Sequence, residues 1–262
     1  MLCAAGVAAG GLFVLLCGPA SAATAISGSV DAAVMATMGY GPAVTASDQH
    51  TDTAAGLPGA LSTQAHTVAE YNGDTVVVDV ANSAAWQDAD HGQFAFSASW
   101  DFSFTQPSTG NETAQFGFHP LFTGDWTYVF TANRDGEIVF DYDLTSTGQT
   151  FGIGGWSVRW RRQGVPGTNG EFLTGNILID DPDGFVQVQG SHAVELAQGE
   201  TYTFWLENNG NVSNGSETRA AATNGTINWH ISGVPEPTTW SLMIFGIGMA
   251  GAAIRSKVKL RA

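Results

Sequence analysis

Three aspartates stand close together in the run Asp-Asp-Pro-Asp-Gly: Asp180, Asp181 and Asp183. Carboxylate oxygens crowded in one loop suit Ca²⁺, a hard cation that takes about six to eight oxygen ligands. The run lacks the alternating aspartates and the distal glutamate of an EF-hand, and it also suits an ordinary turn. A calcium site and a plain turn therefore both remain open. Asp88 and Asp90, next to His91, form a second and weaker acidic cluster.

Basic side chains are concentrated in one segment, where Arg159, Arg161 and Arg162 lie among Trp156 and Trp160. Side chains alternate between the two faces of a strand, so Arg159 and Arg161 share one face and the tryptophans share the other. A guanidinium group can bind the carboxylate of an acidic polysaccharide through two hydrogen bonds. It can equally pair with an Asp or Glu of the chain itself, and the sequence leaves both roles open.

Catalytic signatures are missing from the sequence. There is no Gly-x-Ser-x-Gly run for a serine nucleophile, and no two histidines have the spacing of a local zinc site. A glycosidase needs two carboxylates, but a chain this acidic offers such pairs by chance. We therefore expect a protein that is not an enzyme, with an extracellular hydrolase or lyase as the least favoured alternative.

The C-terminal residues 234–262 have three ordered parts. The first is an extended segment, because its prolines cannot donate backbone hydrogen bonds: Val234, Pro235, Glu236 and Pro237. Residues 238–254 carry no charge and would form a transmembrane helix about 25 Å long, with Trp240 as an interfacial anchor. The last part, 255–262, is basic and would stay cytoplasmic, and its charges are Arg255, Lys257, Lys259 and Arg261.

These three parts in this order resemble the PEP-CTERM sorting signal of Gram-negative bacteria, in its PEPxxWA form with Ser241 in place of the alanine. The resemblance implies recognition by an exosortase-type transpeptidase, cleavage near Pro235–Pro237, and release or attachment at the cell surface. It also implies an exopolysaccharide matrix as a partner. It covers about a tenth of the chain and assigns no function to the remainder. A plain membrane anchor that is never cleaved is the alternative.

Residues 1–22 have the pattern of a secretory signal peptide. An apolar stretch, expected to be helical, precedes Gly18-Pro19, and Ala20-Ser21-Ala22 forms an Ala-x-Ala cleavage site before Ala23. The secretion translocon and signal peptidase are the implied partners. Together with the C-terminal anchor, this segment places residues 23–233 outside the cytoplasm.

The exported part is strongly acidic. Residues 23–233 contain five arginines, no lysine and 23 acidic residues, a net charge of −18, which argues against nucleic acid as a partner. Both cysteines, Cys3 and Cys17, lie in the signal segment, so no disulfide is expected.

Short alternating segments predict an all-β fold for residues 65–233. Five aromatic residues should face the core from one strand: Phe94, Phe96, Trp100, Phe102 and Phe104. Two hairpins are expected, one turning at Asn133–Gly136 and one at Asp180–Gly184. We predict a single two-sheet β-sandwich of jelly-roll type. Residues 23–64, rich in Ala, Gly, Ser and Thr, are expected to form a loosely ordered leader or an early edge of the domain.

Together these features indicate an exported envelope or matrix protein, anchored in the inner membrane before processing and then periplasmic, on the outer surface or extracellular. A carbohydrate-binding β-sandwich is the main alternative.

Overall fold

A computed structural model of the chain describes residues 4–7, 13–16, 21–38, 44–57, 59–104, 112–116, 124–148, 152–164, 169–176, 185–214 and 219–233. Every regular element in these residues is a strand. The strands are β1 Ala4–Val7, β2 Phe13–Leu16, β3 Ala23–Met38, β4 Val44–Ala55, β5 Ala60–Tyr71, β6 Asp74–Trp86, β7 His91–Ser103, β8 Glu112–Phe116, β9 Trp126–Ala132, β10 Gly136–Gly148, β11 Gly152–Arg162, β12 Asn169–Asn176, β13 Phe185–Leu196, β14 Thr201–Asn214 and β15 Arg219–Gly233.

Two antiparallel sheets form the sandwich. The six-stranded sheet has the order β13-β10-β15-β7-β6-β5, and the seven-stranded sheet has the order β12-β11-β14-β8-β3-β4, with β9 also pairing β14 and β3. The prediction of an all-β, two-sheet sandwich is confirmed. Strands β5, β6 and β7 form a meander within one sheet, whereas from β9 onward the chain repeatedly changes sheets.

Strands β8 and β9 occupy one strand position end to end between β3 and β14. Strand β9 pairs with the first half of β3 and with Thr201–Leu206, while β8 pairs with Val34–Thr37 and Gly210–Asn214. Among the described residues the two ladders do not join, and we call the position between Phe116 and Trp126 the sheet break. Gly124 lies there so close to the carbonyl oxygen of Leu206 that a Cβ atom would clash with it.

The core lies between the sheets and is rich in aromatic rings. Trp126, Tyr128 and Phe130 alternate inward from β9, and the ring of Trp126 lies 4.8 Å from that of Trp229 on β15. The predicted inward face of β7 is confirmed, because its first four aromatics are buried and Phe104 packs against the core. A second, more aliphatic cluster joins the ends of β3, β6 and β7.

The predicted hairpin at Asn133–Gly136 is wrong, because the strands on either side of that turn belong to different sheets. Strand β9 pairs with β14 and β3, whereas β10 pairs with β13 and β15. The turn carries the chain from one sheet to the other, and inward aromatics of β9 and β10 meet in the core, as Trp126 and Phe140 do edge to face. The second predicted hairpin, with its turn at Asp180–Gly184, lies outside the described residues and stays a prediction.

Residues 23–64, expected as a loosely ordered leader or an early edge of the domain, contain β3, β4 and the start of β5 and so belong to the sandwich. Strand β3 is an interior strand paired on both sides, and β4 continues the same sheet. The domain therefore begins near residue 21 and not at residue 65. Small side chains such as Ala32 and Ala36 are fully buried in β3, because alanine fits where two sheets approach closely.

The chain ends differ in how far the structure describes them. In place of the expected signal helix, the described residues Ala4–Val7 and Phe13–Leu16 pair as two antiparallel strands. The expected transmembrane helix at 238–254 lies outside the described residues. Within the described part of the chain, no helix has the length and apolar character to cross a membrane.

Candidate functional site

A cleft of about 820 Å³ opens at one end of the sandwich, and we call it the end cleft. Its apolar lining comes from Trp160 on β11, Tyr202 on β14, and Val194 and Leu196 on β13. Trp160 is half-buried, and its ring lies 6.4 Å from that of Tyr202 at an interplanar angle of 48°. Gly170 on the neighbouring strand permits this position, because a Cβ atom there would overlap the indole.

Charged groups surround the aromatic floor of the end cleft. Arg162 contacts Glu200 at 2.6 Å, and this hydrogen bond holds the pKa of the Glu200 carboxyl below its usual value. Three more acids line the rim: Asp135, Glu137 and Glu195. The hydroxyl of Tyr202 accepts a hydrogen bond of 2.9 Å from the Ala197 amide, which fixes the ring in place. A partly exposed indole beside hydrogen-bonding groups suits a polar ligand with an apolar face.

The predicted arginine cluster is divided between two faces. Arg159 and Arg161 pair with Trp205 and Thr203 on the outer face of the seven-stranded sheet, as their spacing predicted, whereas Arg162 reaches the end cleft. Arg159 donates from Nη1 to both carboxylate oxygens of Glu207, at 3.0 and 2.8 Å. The indole of Trp205 donates to the same carboxylate at 3.1 Å. Arg159 and Arg162 thus pair with acids of the chain itself.

The two acidic clusters differ in what the structure says about them. Asp180, Asp181 and Asp183 lie outside the described residues, so the calcium site stays a prediction. In the described part of the chain, no group of three or more acidic, histidine or cysteine side chains is arranged to hold a metal ion. Burial raises the pKa of Asp88, but the interactions with His91 and the hydrogen bond from the Asp90 amide together outweigh that effect and leave the pKa below its usual value.

A buried polar cluster at the sheet break was missed by sequence reasoning. Asp31, Asn82 and Asp125 are at most 6% exposed. The side-chain amide of Asn82, reaching from the opposite sheet, donates to the Asp31 carbonyl and, at 3.0 Å, to the Asp125 carboxylate. The Asp31 amide donates to the Asp125 carbonyl at 3.0 Å. Asn82 therefore links the two sheets by donating to a backbone carbonyl of β3 and to the Asp125 carboxylate, and no short sequence motif predicts such a contact.

The residues around the expected signal cleavage site are partly described. Ala20 lies outside the described residues, whereas Ala22 and Ala23 are buried at the start of β3 beside Asp90. Every predicted sorting residue lies outside the described part of the chain, from Val234 to Arg261.

Comparison with known families locates the sorting signal directly. The model of the PEP-CTERM protein-sorting motif matches residues 233–258, in agreement with the resemblance seen at Pro235-Glu236-Pro237. A search of curated proteins finds no match. The motif implies an exported protein that is anchored in the membrane and then processed by an exosortase. The chain is thus a β-sandwich followed at once by a PEP-CTERM protein-sorting motif.

Proposed function

We propose that this chain is a non-catalytic cell-envelope or extracellular matrix protein whose sandwich is the exported cargo of the sorting motif. The observation that carries the proposal is the match at residues 233–258, which begins at the last residue of β15. The folded domain and the sorting motif are therefore contiguous. Residues 1–22 act as the signal peptide, and residues 238–254 hold the chain in the inner membrane until an exosortase cuts near Pro235–Pro237.

The pairing of charged groups supports a structural cargo. Arg159 is bound to Glu207, Arg162 to Glu200, and Asn82 to Asp125. Carboxylates engaged in this way stabilise the sandwich, whereas general acid–base catalysis requires a carboxyl group free to exchange protons with a substrate. The acidic surface keeps the released protein soluble among anionic polymers.

The sorting proposal predicts the masses of the protein recovered from its own host. Intact-mass spectrometry of the envelope and medium fractions should give a species that begins at Ala23 and ends within Pro235–Pro237. Glu236→Gln should shift the population to a membrane-bound form that keeps Trp240–Ala262, because the motif is no longer recognised. Glu195→Gln, an acid of the end cleft, is the matched control and should be cut normally. A wild-type protein that always retains Trp240–Ala262 would refute processing and leave a plain anchor.

A second function, carbohydrate binding, is favoured by the end cleft. The half-buried Trp160 offers one face of its ring, and the charged rim supplies hydrogen-bonding groups for hydroxyls. Exopolysaccharide is the ligand class that fits this combination and the location outside the cell. In this proposal the cleft, and not the outer strand face with Arg159 and Arg161, is the binding site.

Glycan-array and calorimetric titrations of the exported protein test that site. Trp160→Ala should weaken binding of the best oligosaccharide by about tenfold, the loss expected for one aromatic contact. Arg159→Ala, on the outer face, should leave the affinity unchanged. Equal losses in both variants, or an array without any signal, would exclude carbohydrate binding at the end cleft.

A further inference from the structure

Asp90 lies in the turn between β6 and β7, and the surrounding backbone holds it in place. Its amide donates to the Asp88 carboxylate at 2.8 Å, and its carbonyl accepts from the Ile231 amide at 2.6 Å. The neighbouring carbonyl of Ala89 accepts from the Tyr128 hydroxyl at 2.8 Å. The carboxylate of Asp90 is therefore presented on a backbone that is tied to two other strands.

Both oxygens of this carboxylate point at the start of β3. The Ala22 amide donates to Oδ2 and the Ala23 amide to Oδ1, each at 2.7 Å. The Ser21 hydroxyl lies 2.9 Å from Oδ1. Ala22 and Ala23 are each only 2% exposed, and Asp90 is half-buried, so the two amide bonds are partly buried. The amides of Ala22 and Ala23 thus both bind the Asp90 carboxylate and anchor this end of the domain.

The expected signal cleavage falls at this anchor. Hydrolysis of the bond between Ala22 and Ala23 leaves a carboxylate on the departing segment and an amine on Ala23, which takes up a proton near neutral pH. The nitrogen that then becomes the chain terminus is the one that already donates to Asp90 Oδ1 at 2.7 Å.

We propose that Asp90 is the receptor for the α-ammonium group that signal peptidase creates on Ala23. Cleavage converts a neutral amide hydrogen bond into a charge-assisted ion pair, which is the stronger interaction. The ammonium carries additional N–H donors, which replace the Ala22 amide on the same carboxylate. Maturation at the N-terminus would thus complete the fold of the exported domain. The proposal rests on the export step of the proposed function and is independent of the C-terminal cut.

The absence of lysine from residues 23–233 allows a direct test. In the exported protein the only amine outside the sorting tail is the α-amine of Ala23, so an amine-reactive acylating reagent reports on that group. The protein is purified from its host, and the acylation rate is measured by mass spectrometry in the folded state and in urea. The folded wild type should react about tenfold or more slowly than the unfolded chain, the ratio expected for a charged hydrogen bond.

Substitutions distinguish protection of the α-amine by the ion pair from protection by burial alone. Asp90→Asn should bring the folded rate close to the unfolded rate, while Asp101→Asn, an exposed acid on β7, should keep the protection. If the tail is still present, peptide mapping distinguishes acylation of Lys257 and Lys259 from acylation of the Ala23 α-amine. An N-terminus at any residue other than Ala23, or equal rates in folded and unfolded wild type, would overturn the proposal even if Asp90→Asn fails to fold. The C-terminal mass of the same sample reports the sorting cut separately.

Discussion

Replacing Trp229 by alanine should lower the free energy of unfolding by about 3–5 kcal/mol, the range for truncating a buried aromatic side chain. Trp229 is 2% exposed, and its ring lies 4.8 Å from that of Trp126, 5.6 Å from that of Trp86 and 6.0 Å from that of Tyr128. Since these rings come from both sheets, the cavity would open in the layer that joins them. Urea unfolding followed by far-ultraviolet circular dichroism measures the loss without relying on tryptophan fluorescence.

Two further substitutions make the result interpretable. Tyr71→Ala, at a position 36% exposed, should cost less than about 1 kcal/mol. Trp229→Phe should cost clearly less than Trp229→Ala, because the Nε1 of Trp229 has no acceptor among the described residues and phenylalanine removes that unsatisfied donor. If Trp229→Ala proved no more costly than Tyr71→Ala, the packing of the sandwich around this ring would be refuted.

Asn82→Leu should destabilise the domain by about 3 kcal/mol, although leucine is close to asparagine in size. The substitution leaves the Asp125 carboxylate and the Asp31 carbonyl at the sheet break without the donor that reaches them from β6. Both groups are almost fully buried, so water does not replace the lost bonds at low cost. Chemical denaturation of the exported protein measures the change.

Gln93→Leu is the matched control for that measurement. Gln93 also donates a side-chain amide across strands, to Asn228 at 2.8 Å, but this bond is exposed. Its loss should cost no more than about 1 kcal/mol, because solvent satisfies the freed group. Similar costs for the two leucine variants would show that Asn82 does not support the sheet break.

The sequence predicted strand faces and the C-terminal sorting motif better than it predicted which strands pair. The alternation of side chains along a strand correctly predicted that the aromatic residues of Phe94–Phe102 lie in the core. It also predicted that Arg159 and Arg161 share one face, because the two-residue period of a strand is a local property. The sorting motif was likewise readable, since its recognition depends on contiguous residues. Strand pairing is a property of the whole sandwich, and turn residues do not encode it.

The turns illustrate this limit. Asn133–Gly136 has strong turn chemistry but connects strands of opposite sheets, while a tight hairpin between β5 and β6 turns at Asn72-Gly73. Positive φ angles of 54° and 90° at those two residues are the conformation that Asn-Gly supports in two-residue hairpins. After a turn, the next strand can pair with the preceding strand in the same sheet or join the opposite sheet. Which of these occurs depends on which apolar strand faces must pack together in the core.

The misassigned leader and the missed polar cluster share one physical cause. Strand β3 has few large apolar residues because it packs tightly through alanines, so its composition resembles that of a linker. Asp31 in the same strand is buried beside Asp125, and its carboxylate accepts hydrogen bonds from Gln49 and Thr51 of β4. Neither property is visible until the neighbouring strands are in place.

The position of β15 has a mechanical consequence for a protein held by its C-terminus. This strand lies inside the six-stranded sheet, paired along its length with β10 on one side and β7 on the other, and the sorting motif starts at its last residue. Tension applied through the tail therefore pulls β15 along its own axis, and many backbone hydrogen bonds must slide and break together. An edge strand pulled in the same direction would have hydrogen bonds to break on one side only. A load applied at this end of the domain therefore separates β15 only when its pairings with both β10 and β7 fail.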